Sequence, residues 1–502
     1  MATIGGSINT RHGAFVWAAL RRSAQFHVNF KCSIMNRLIA IVLFVGVLTP
    51  LKSFAQEPID IARAIEYALV QNRELVRSAL AVDSSELGVR SAQVEFQISL
   101  RPEASSGFSG DKNAREYGLT ASKKLIWGTK LRMSGRELSD LGDENLHRSS
   151  IQLEIEQPIF RNFGTLIHGE ATIQANNDLK TARRRFGMQK ADLVVEVVTT
   201  YENIFRLEHQ VRSDRESFKR MDVLCKLTRA KELLGRTTRI DTLRVELLRG
   251  QALSRLEGNK KRLFSQERDF AELLGFPPDT VFDLKPTPVL DFTVPKFEEG
   301  VRVALQNRLD YAQVLQDHLD ARRGVRIARK KLLPDLKLIL RHKWFGKGQS
   351  ASNARRLDEN VWFFGITTGT DMNAGKERVA LTRAHIDETS ALETIKIVEL
   401  SIARQVQQHL LAYRRAQEES QLSEQNFNLA ESRAKLARRL FELGRGENIS
   451  VTDAEEAYLQ AEDRLFAVRA DGIMSSYRLF RVLGTLIEIS EELKPKLQYM
   501  HQ

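Results

Sequence analysis

The chain writes one unit twice, and any fold must accommodate both copies. In the first half Ala68-Leu69-Val70-Gln71-Asn72-Arg73-Glu74-Leu75 heads a helical stretch, and in the second Ala304-Leu305-Gln306-Asn307-Arg308-Leu309-Asp310-Tyr311 matches its pattern. A second helical segment follows each and ends in Leu-x-Pro or Leu-Pro, at Pro102 and Pro334, before sequence of β character. Gly164 and Gly375 then each open a long proline-free stretch, which Gly235-Arg236 and Gly444-Arg445 interrupt 71 and 69 residues later. Leu274-Gly275 and Leu483-Gly484 close the units, Gly275 and Gly484 lying 40 residues beyond Gly235 and Gly444 respectively.

No proline occurs from Ile159 to Phe276 or from Asp335 to Lys494. After Gly164 the apolar residues Phe186, Val194, Val197, Tyr201, Ile204 and Phe205 recur at helical spacing among Ala, Arg, Lys, Glu and Gln. Continuous from Thr165 to Leu234, such a helix is roughly 105 Å long at about 1.5 Å per residue. It must pack as an extended coiled-coil-like element, and so must its counterpart after Gly375.

Other segments alternate with the period of a strand. Ile151-Gln152-Leu153-Glu154-Ile155-Glu156 does so strictly, as does much of Tyr117 to Trp127, and Leu336, Leu338, Leu340 and Trp344 share one parity. An apolar face opposite a polar one suits a strand between lipid and a wet lumen, and equally any half-buried strand. If these strands span a membrane, no edge can stay unpaired, and the sheet must close into a barrel. About two strands in the second repeat and two to four in the first are too few for a barrel of at least eight. Several copies of the chain must then share one barrel.

Residues 1–55 contain no Asp or Glu, and Arg37 precedes an apolar run from Leu38 to Leu48 followed by Ser53-Phe54-Ala55. This is the pattern of a secretory signal peptide cleaved after Ala55, with residues 1–34 an upstream extension or a misassigned start ahead of Met35. A run of 11 residues is too short to span a bilayer as a helix, which needs about 20. Removing the leader and its six basic residues lowers the net charge from +12 to +6, that is 70 basic against 64 acidic. Basic runs such as Arg183-Arg184-Arg185, Arg322-Arg323, Lys330-Lys331 and Arg438-Arg439 are scattered and lack a stacking set of aromatics. They are expected to be solvated helix faces, and nucleic acid is not expected as a partner. Cys225 alone remains after the leader, so no internal disulfide can form.

The ordered landmarks resemble the TolC-type outer-membrane efflux proteins. Those carrying the resemblance are Ala68-Leu69-x-x-Asn72-x-Glu74-Leu75, Glu156-Gln157-Pro158-Ile159-Phe160-Arg161-x-Phe163-Gly164 at a strand-to-helix junction, and Ala304-Leu305-x-Asn307-Arg308-x-Asp310-Tyr311. The resemblance spans about residues 57–490. It implies a mixed α and β fold: two repeats of long antiparallel helices forming a periplasmic α-barrel, with β-hairpins in a transmembrane β-barrel shared by a homotrimer. In the family each protomer gives four strands to a barrel of twelve.

On this pattern residues 56–290 form a first repeat, with strands within about 104–157, a long helix about 165–234 and a return helix about 240–274. Residues 291–490 form the second, with strands about 335–368, a long helix about 376–443 and a return helix about 450–483, and 491–502 are a tail. Two departures stand out: Arg73 where the family often has proline, and Thr367-Thr368-Gly369-Thr370-Asp371 in place of the Glu156-to-Phe160 junction. The extra strand-like sequence Tyr117 to Arg136 is either a further hairpin or a surface excursion.

The family's helical tips, which meet a periplasmic adaptor protein, map to Gly235, Arg236, Ile240 and Asp241, and to Gly444, Arg445, Ile449 and Ser450. In both, glycine ends one helix, and Asp241 or Ser450 is positioned to cap the next. Beyond the second tip Asp453, Glu455 and Glu456 either form lumen-facing acidic rings in an oligomer or pair with Lys and Arg on helix faces.

No phosphate loop, dinucleotide glycine pattern, HExxH, nucleophile elbow or Cys-x-x-Cys is present. His168, His209 and His409 each lack a second ligand at helical spacing, so no metal, cofactor or catalytic residue is expected. The expected function is a passive outer-membrane exit duct of a tripartite efflux pump, contacting outer-membrane lipid, an adaptor and an inner-membrane pump. Type I protein secretion through the same duct is the near alternative, and a pore-free periplasmic coiled-coil scaffold the distant one.

Overall fold

The computed structural model describes residues 58–109, 112–140, 146–288, 292–369, 373–443 and 445–495. The expected leader and most of the expected tail lie outside the described residues, as does Gly444. The first repeat runs β1 (Pro58–Ile59), α1 (Ile61–Gln71), α2 (Arg73–Val94), β2 (Ser99–Ser109), β3 (Lys112–Lys124), β4 (Lys130–Asp140), β5 (Leu146–Pro158), α3 (Thr165–His168), α4 (Glu170–Leu233) and α5 (Arg239–Leu274). The second runs β6 (Asp283–Leu284), α6 (Phe297–Asn307), α7 (Leu309–Lys331), β7 (Leu336–Gly348), α8 (Ala351–Ala354), β8 (Glu359–Thr368), α9 (Gly375–Glu442) and α10 (Asn448–Leu483).

These elements fall into two compact units. Among the described residues, one draws on residues 58–79, on Arg185–Asp310 and on residues 399–495; the other on Leu80–Arg184 and Tyr311–Val398. Inside the first, α1 is started by Asp60, whose carboxylate accepts from the Arg63 amide at 2.9 Å. Its apolar face, Ile61, Ile65 and Ala68, joins Val194, Val197, Val198, Tyr201, Ile204, Phe270 and Leu274 in one core. The short parallel pair of β1 and β6 lies over this core. The Tyr201 hydroxyl sits between the carbonyls of Ile59 and Lys285, at 2.9 and 2.6 Å.

The repeat is visible in how each return helix ends. Gly275 after α5 and Gly484 after α10 both adopt left-handed backbone, with φ of 83° and 73°. A Cβ on Gly275 would come within 2.7 Å of the Gln71 carbonyl oxygen, and one on Gly484 within 2.9 Å of the Asn307 carbonyl carbon. The two glycines thus touch matching junctions, α1 to α2 and α6 to α7. A positive φ and a close backbone approach together leave room only for glycine.

The second unit holds a six-stranded antiparallel sheet ordered β2-β3-β4-β5-β7-β8. The first repeat contributes four strands, starting at Ser99 and not near 104, and the second contributes two. The sequence Tyr117 to Arg136 is therefore a further hairpin within the sheet, which among the described residues has six strands where the resemblance implies four. The long helix expected over about 165–234 is interrupted, because Gly169 closes the short turn α3 before α4 begins. No such break occurs in α9, which runs for 68 residues. Among the described residues no helix is long and apolar enough to cross a membrane.

Candidate transmembrane wall and helical tips

The register of the sheet sorts its side chains onto two faces. One cross-strand row reads Leu100, Ala121, Met133, Leu153, His342, Trp362, and the rows beside it add Leu119, Ile151, Ile155, Leu340, Phe364 and Ile366. Most of these stand exposed in the single chain; Phe364 keeps 71% of its surface and Trp362 64%. A contiguous apolar face of this extent needs an apolar neighbour. Trp127, Phe160 and Phe163 lie exposed at the sheet's helix-side end, and His342 stacks on Trp362 with ring centres 3.9 Å apart. Aromatic residues toward the ends of an apolar band mark the membrane interfaces of outer-membrane barrels. The strands are 10 to 13 residues long, and tilted strands of about 9–11 residues cross a bilayer.

The opposite face carries charge held in ladders. Glu154 on β5 lies between Arg132 on β4 and Arg341 on β7, at 3.1 and 2.9 Å. One step along, Glu156 lies between Lys130 and Lys337, at 3.4 and 3.6 Å. Arg136 on β4 reaches Glu116 on β3 and Glu103 on β2 at 3.9 and 3.8 Å. The basic partners are half exposed, so each pair is worth little alone; the ladder ties strands of both repeats into one polar surface.

At the helix-side end, Gly164 adopts φ of 100° and its amide donates to the Trp127 carbonyl at 2.9 Å. Gly128, φ of 105°, leaves room for His168, where a Cβ would come within 2.2 Å of Nε2. Arg161 pairs with Glu377 at 2.6 Å. His168 is thus a buttress of the turn between β3 and β4.

The tips lie at the α4-to-α5 and α9-to-α10 turns. Gly235, φ of 69°, ends α4 with the Arg236 amide donating to the Lys231 carbonyl at 2.8 Å, and the Arg445 amide donates to Leu440 at 2.9 Å in the same way. The caps differ from expectation. Thr238, and not Asp241, is the N-cap of α5; its hydroxyl accepts from the Asp241 amide, and the Asp241 carboxylate accepts in return from the Thr238 amide in a capping box. Asp241 stands three positions inside the helix, so its side chain reaches back. Ser450 holds the same inner position in α10, whose N-cap Glu447 makes no side-chain cap bond. Leu233, Leu234, Ile240, Leu443 and Ile449 are exposed around the tips, together with Arg236 and Arg445.

The three acids beyond the second tip part company. Asp453 and Glu456 are exposed, whereas Glu455 is buried, 2.9 Å from Arg220 Nε on α4 and 3.2 Å from Arg438 Nε on α9. A ring position is closed to Glu455, because its carboxylate is already enclosed by two guanidinium groups. The basic runs are likewise not all solvated: Arg323 is buried between Glu170 and Asp320, at 2.8 and 2.6 Å. Pairing with Arg is thus the outcome at Glu455; the sequence pattern does not point to its partners or to those of Glu154, since they lie on other helices and strands. Among the described residues no cluster of three His, Cys, Asp or Glu side chains could hold a metal ion.

Comparison with known proteins adds the family. Residues 300–485 match the family model described as outer membrane efflux protein. The second repeat is an outer membrane efflux protein domain. The first repeat lies outside that match and shares its landmarks and glycine junctions. No curated protein matches the sequence significantly.

Among solved structures, the outer membrane protein VceC of Vibrio cholerae superposes with a TM-score of 0.66 at 15% identity, covering 85% of this chain and 97% of that one. The CmeC outer membrane channel of Campylobacter jejuni gives 0.65 at 12%, covering 86% and 87%. The open state of the MtrE outer membrane channel of Neisseria gonorrhoeae gives 0.63 at 15%, covering 85% and 89%. At such identities the likeness is one of fold, and it spans nearly the full length of those chains.

Proposed function

We propose that this efflux-domain chain is one protomer of a passive outer-membrane duct, the exit of a tripartite pump that moves small molecules across the outer membrane. The observation that carries the proposal is the two-faced sheet. Among the described residues its apolar face has no cover and both its edges are unpaired, and its polar face is laddered with charge, which suits a wall between lipid and water. Copies of the chain, three by analogy with the family, close that wall. The helical repeats extend into the periplasm, and the tips around Gly235, Arg236, Ile240, Asp241, Gly444, Arg445, Ile449 and Ser450 meet an adaptor protein. Asp453 and Glu456, exposed beside the second tip, are the acids left to line an aperture.

The duct is passive in this reading, and the energy for transport comes from an inner-membrane partner. Type I protein secretion uses a duct of the same shape, and substrate choice lies with that partner. Purified protein reconstituted into planar bilayers should give discrete, long-lived conductance steps. Bilayers that stay silent while the protein is demonstrably inserted would rule out an open duct. Asp453→Ala and Glu456→Ala should each shift cation selectivity; unchanged reversal potentials would remove these acids from the aperture.

A further inference from the structure

We infer that each copy contributes six strands to the shared barrel, with the β2 edge of one copy pairing to the β8 edge of the next, so that a three-copy duct is eighteen-stranded. This rests on the duct reading above and goes beyond it, because that reading fixes neither the strand number nor the edges that meet.

The six strands form one sheet, each paired to its neighbour over nearly its whole length. The additional pair β3 and β4 is built as wall. Tyr117 and Leu119 on β3 and Leu131 and Met133 on β4 fall on the apolar face, while Glu116, Thr120, Arg132 and Arg136 fall on the polar one. Salt bridges from β4 run to β5 on one side and to β3 and β2 on the other, all on the polar face. A hairpin lying outside the membrane has no reason to continue both the apolar band and the charge ladder.

The edges then dictate the partner. In hydrocarbon each unpaired backbone group on β2 or β8 costs several kcal/mol, so neither edge can stay open. Within one copy the two edges lie at opposite sides of the sheet, and six strands are fewer than the eight of the smallest barrels. A second copy satisfies both edges. Because the strand number is even and every neighbour antiparallel, rotating the chain about a barrel axis sets β8 of one copy antiparallel to β2 of the next. The edges match in length, 11 residues in β2 and 10 in β8. Since barrel diameter grows roughly linearly with strand number, this barrel is about half again as wide as one of twelve strands.

The test uses the full chain in a Cys225→Ala background. Single cysteines at Leu119 and Met133, and at Thr120 and Ser134, carry an environment-sensitive fluorophore in liposomes. Labels at Leu119 and Met133 should be quenched by a lipid-borne nitroxide, and labels at Thr120 and Ser134 by aqueous iodide. In parallel, Ser105→Cys is combined in turn with Val361→Cys, Phe363→Cys or Gly365→Cys; on oxidation at least one pair should yield a covalent ladder ending at the trimer. A heat-labile outer-membrane oligomer whose Leu119 and Met133 labels answer only to iodide, with no crosslink from any pair, would overturn the six-strand barrel and leave the duct intact. Absence of any outer-membrane oligomer would overturn both.

Discussion

Glu455 is the point at which three helices of the tip region are tied by one carboxylate, and its replacement by glutamine has a calculable effect. Its side chain is 3% exposed, with Arg220 Nε at 2.9 Å and Arg438 Nε at 3.2 Å. Glu455→Gln removes the negative charge and leaves two guanidinium groups facing each other. Removing one partner of a fully buried ion pair costs about 3–5 kcal/mol. Here Arg220 and Arg438 keep 24% and 35% of their surface, so water compensates part of the loss and about 2 kcal/mol remains. At about 1.4 kcal/mol per factor of ten, that is roughly thirty-fold more frequent local opening. Amide hydrogen exchange read by mass spectrometry on the detergent-extracted protein should show this acceleration in peptides covering 217–223, 436–441 and 451–458. Peptides of β4 and β5 should stay unchanged. Adding Arg438→Gln to Glu455→Gln should recover part of the protection, because the surplus cation is gone. Acceleration below threefold at the node, or an equal rise in the sheet, would refute the claim that this carboxylate ties the helices.

Gly275→Ala and Gly484→Ala should each destabilise the helical unit by upwards of about 1–2 kcal/mol from the left-handed backbone alone, with the clash against Gln71 or Asn307 added. Gly250→Ala, in an open stretch of α5, should instead stabilise by about 0.5–1 kcal/mol, and circular-dichroism melting distinguishes the two cases. Tyr201→Phe should cost about 1–2 kcal/mol and speed exchange of the Lys285 amide, which donates to Ile59 at 3.2 Å beside the lost hydroxyl. Burial pushes the Glu202 carboxyl up to about 7, against the hydrogen bond it accepts from Thr287, and burial also lifts Glu208 to about 7. Over the window from the ordinary carboxylate value to about 7 these two groups hold protons in the folded chain that they release in the unfolded one, so their contribution to stability falls as pH rises through it, while burial lowers His168, His209 and His409 and works in the opposite sense. In melts taken between pH 5 and 8 the stability of the wild type relative to Glu202→Gln should therefore fall as pH rises.

The repeat was legible because it is written in glycine, proline and asparagine at fixed spacing, and backbone geometry constrains those residues most tightly. Gly275 and Gly484 are the clearest instance: their equal distance from the tips foretold matching roles, and both meet the same junction. Strand character was legible from alternation in Ile151 to Glu156, but the strand number was not. Ser99 to Ser109 holds four serines and breaks the alternation, and only pairing with β3 shows Leu100 and Pro102 to be on the apolar side. The cap at Asp241 was misplaced by three residues because Thr238 and Asp241 cap reciprocally, and either residue alone fits the pattern. Glu455 and Glu154 owe their roles to partners far away in the chain, to which local periodicity is blind.

The most direct test of the duct is fractionation of cells expressing the full chain, with outer-membrane extract run in mild detergent with and without heating. A species near three times the protomer mass, present unheated and lost on boiling, is the predicted result. A soluble periplasmic species would contradict the account, because an uncovered sheet face with Phe364 and Trp362 exposed would then have no membrane to meet.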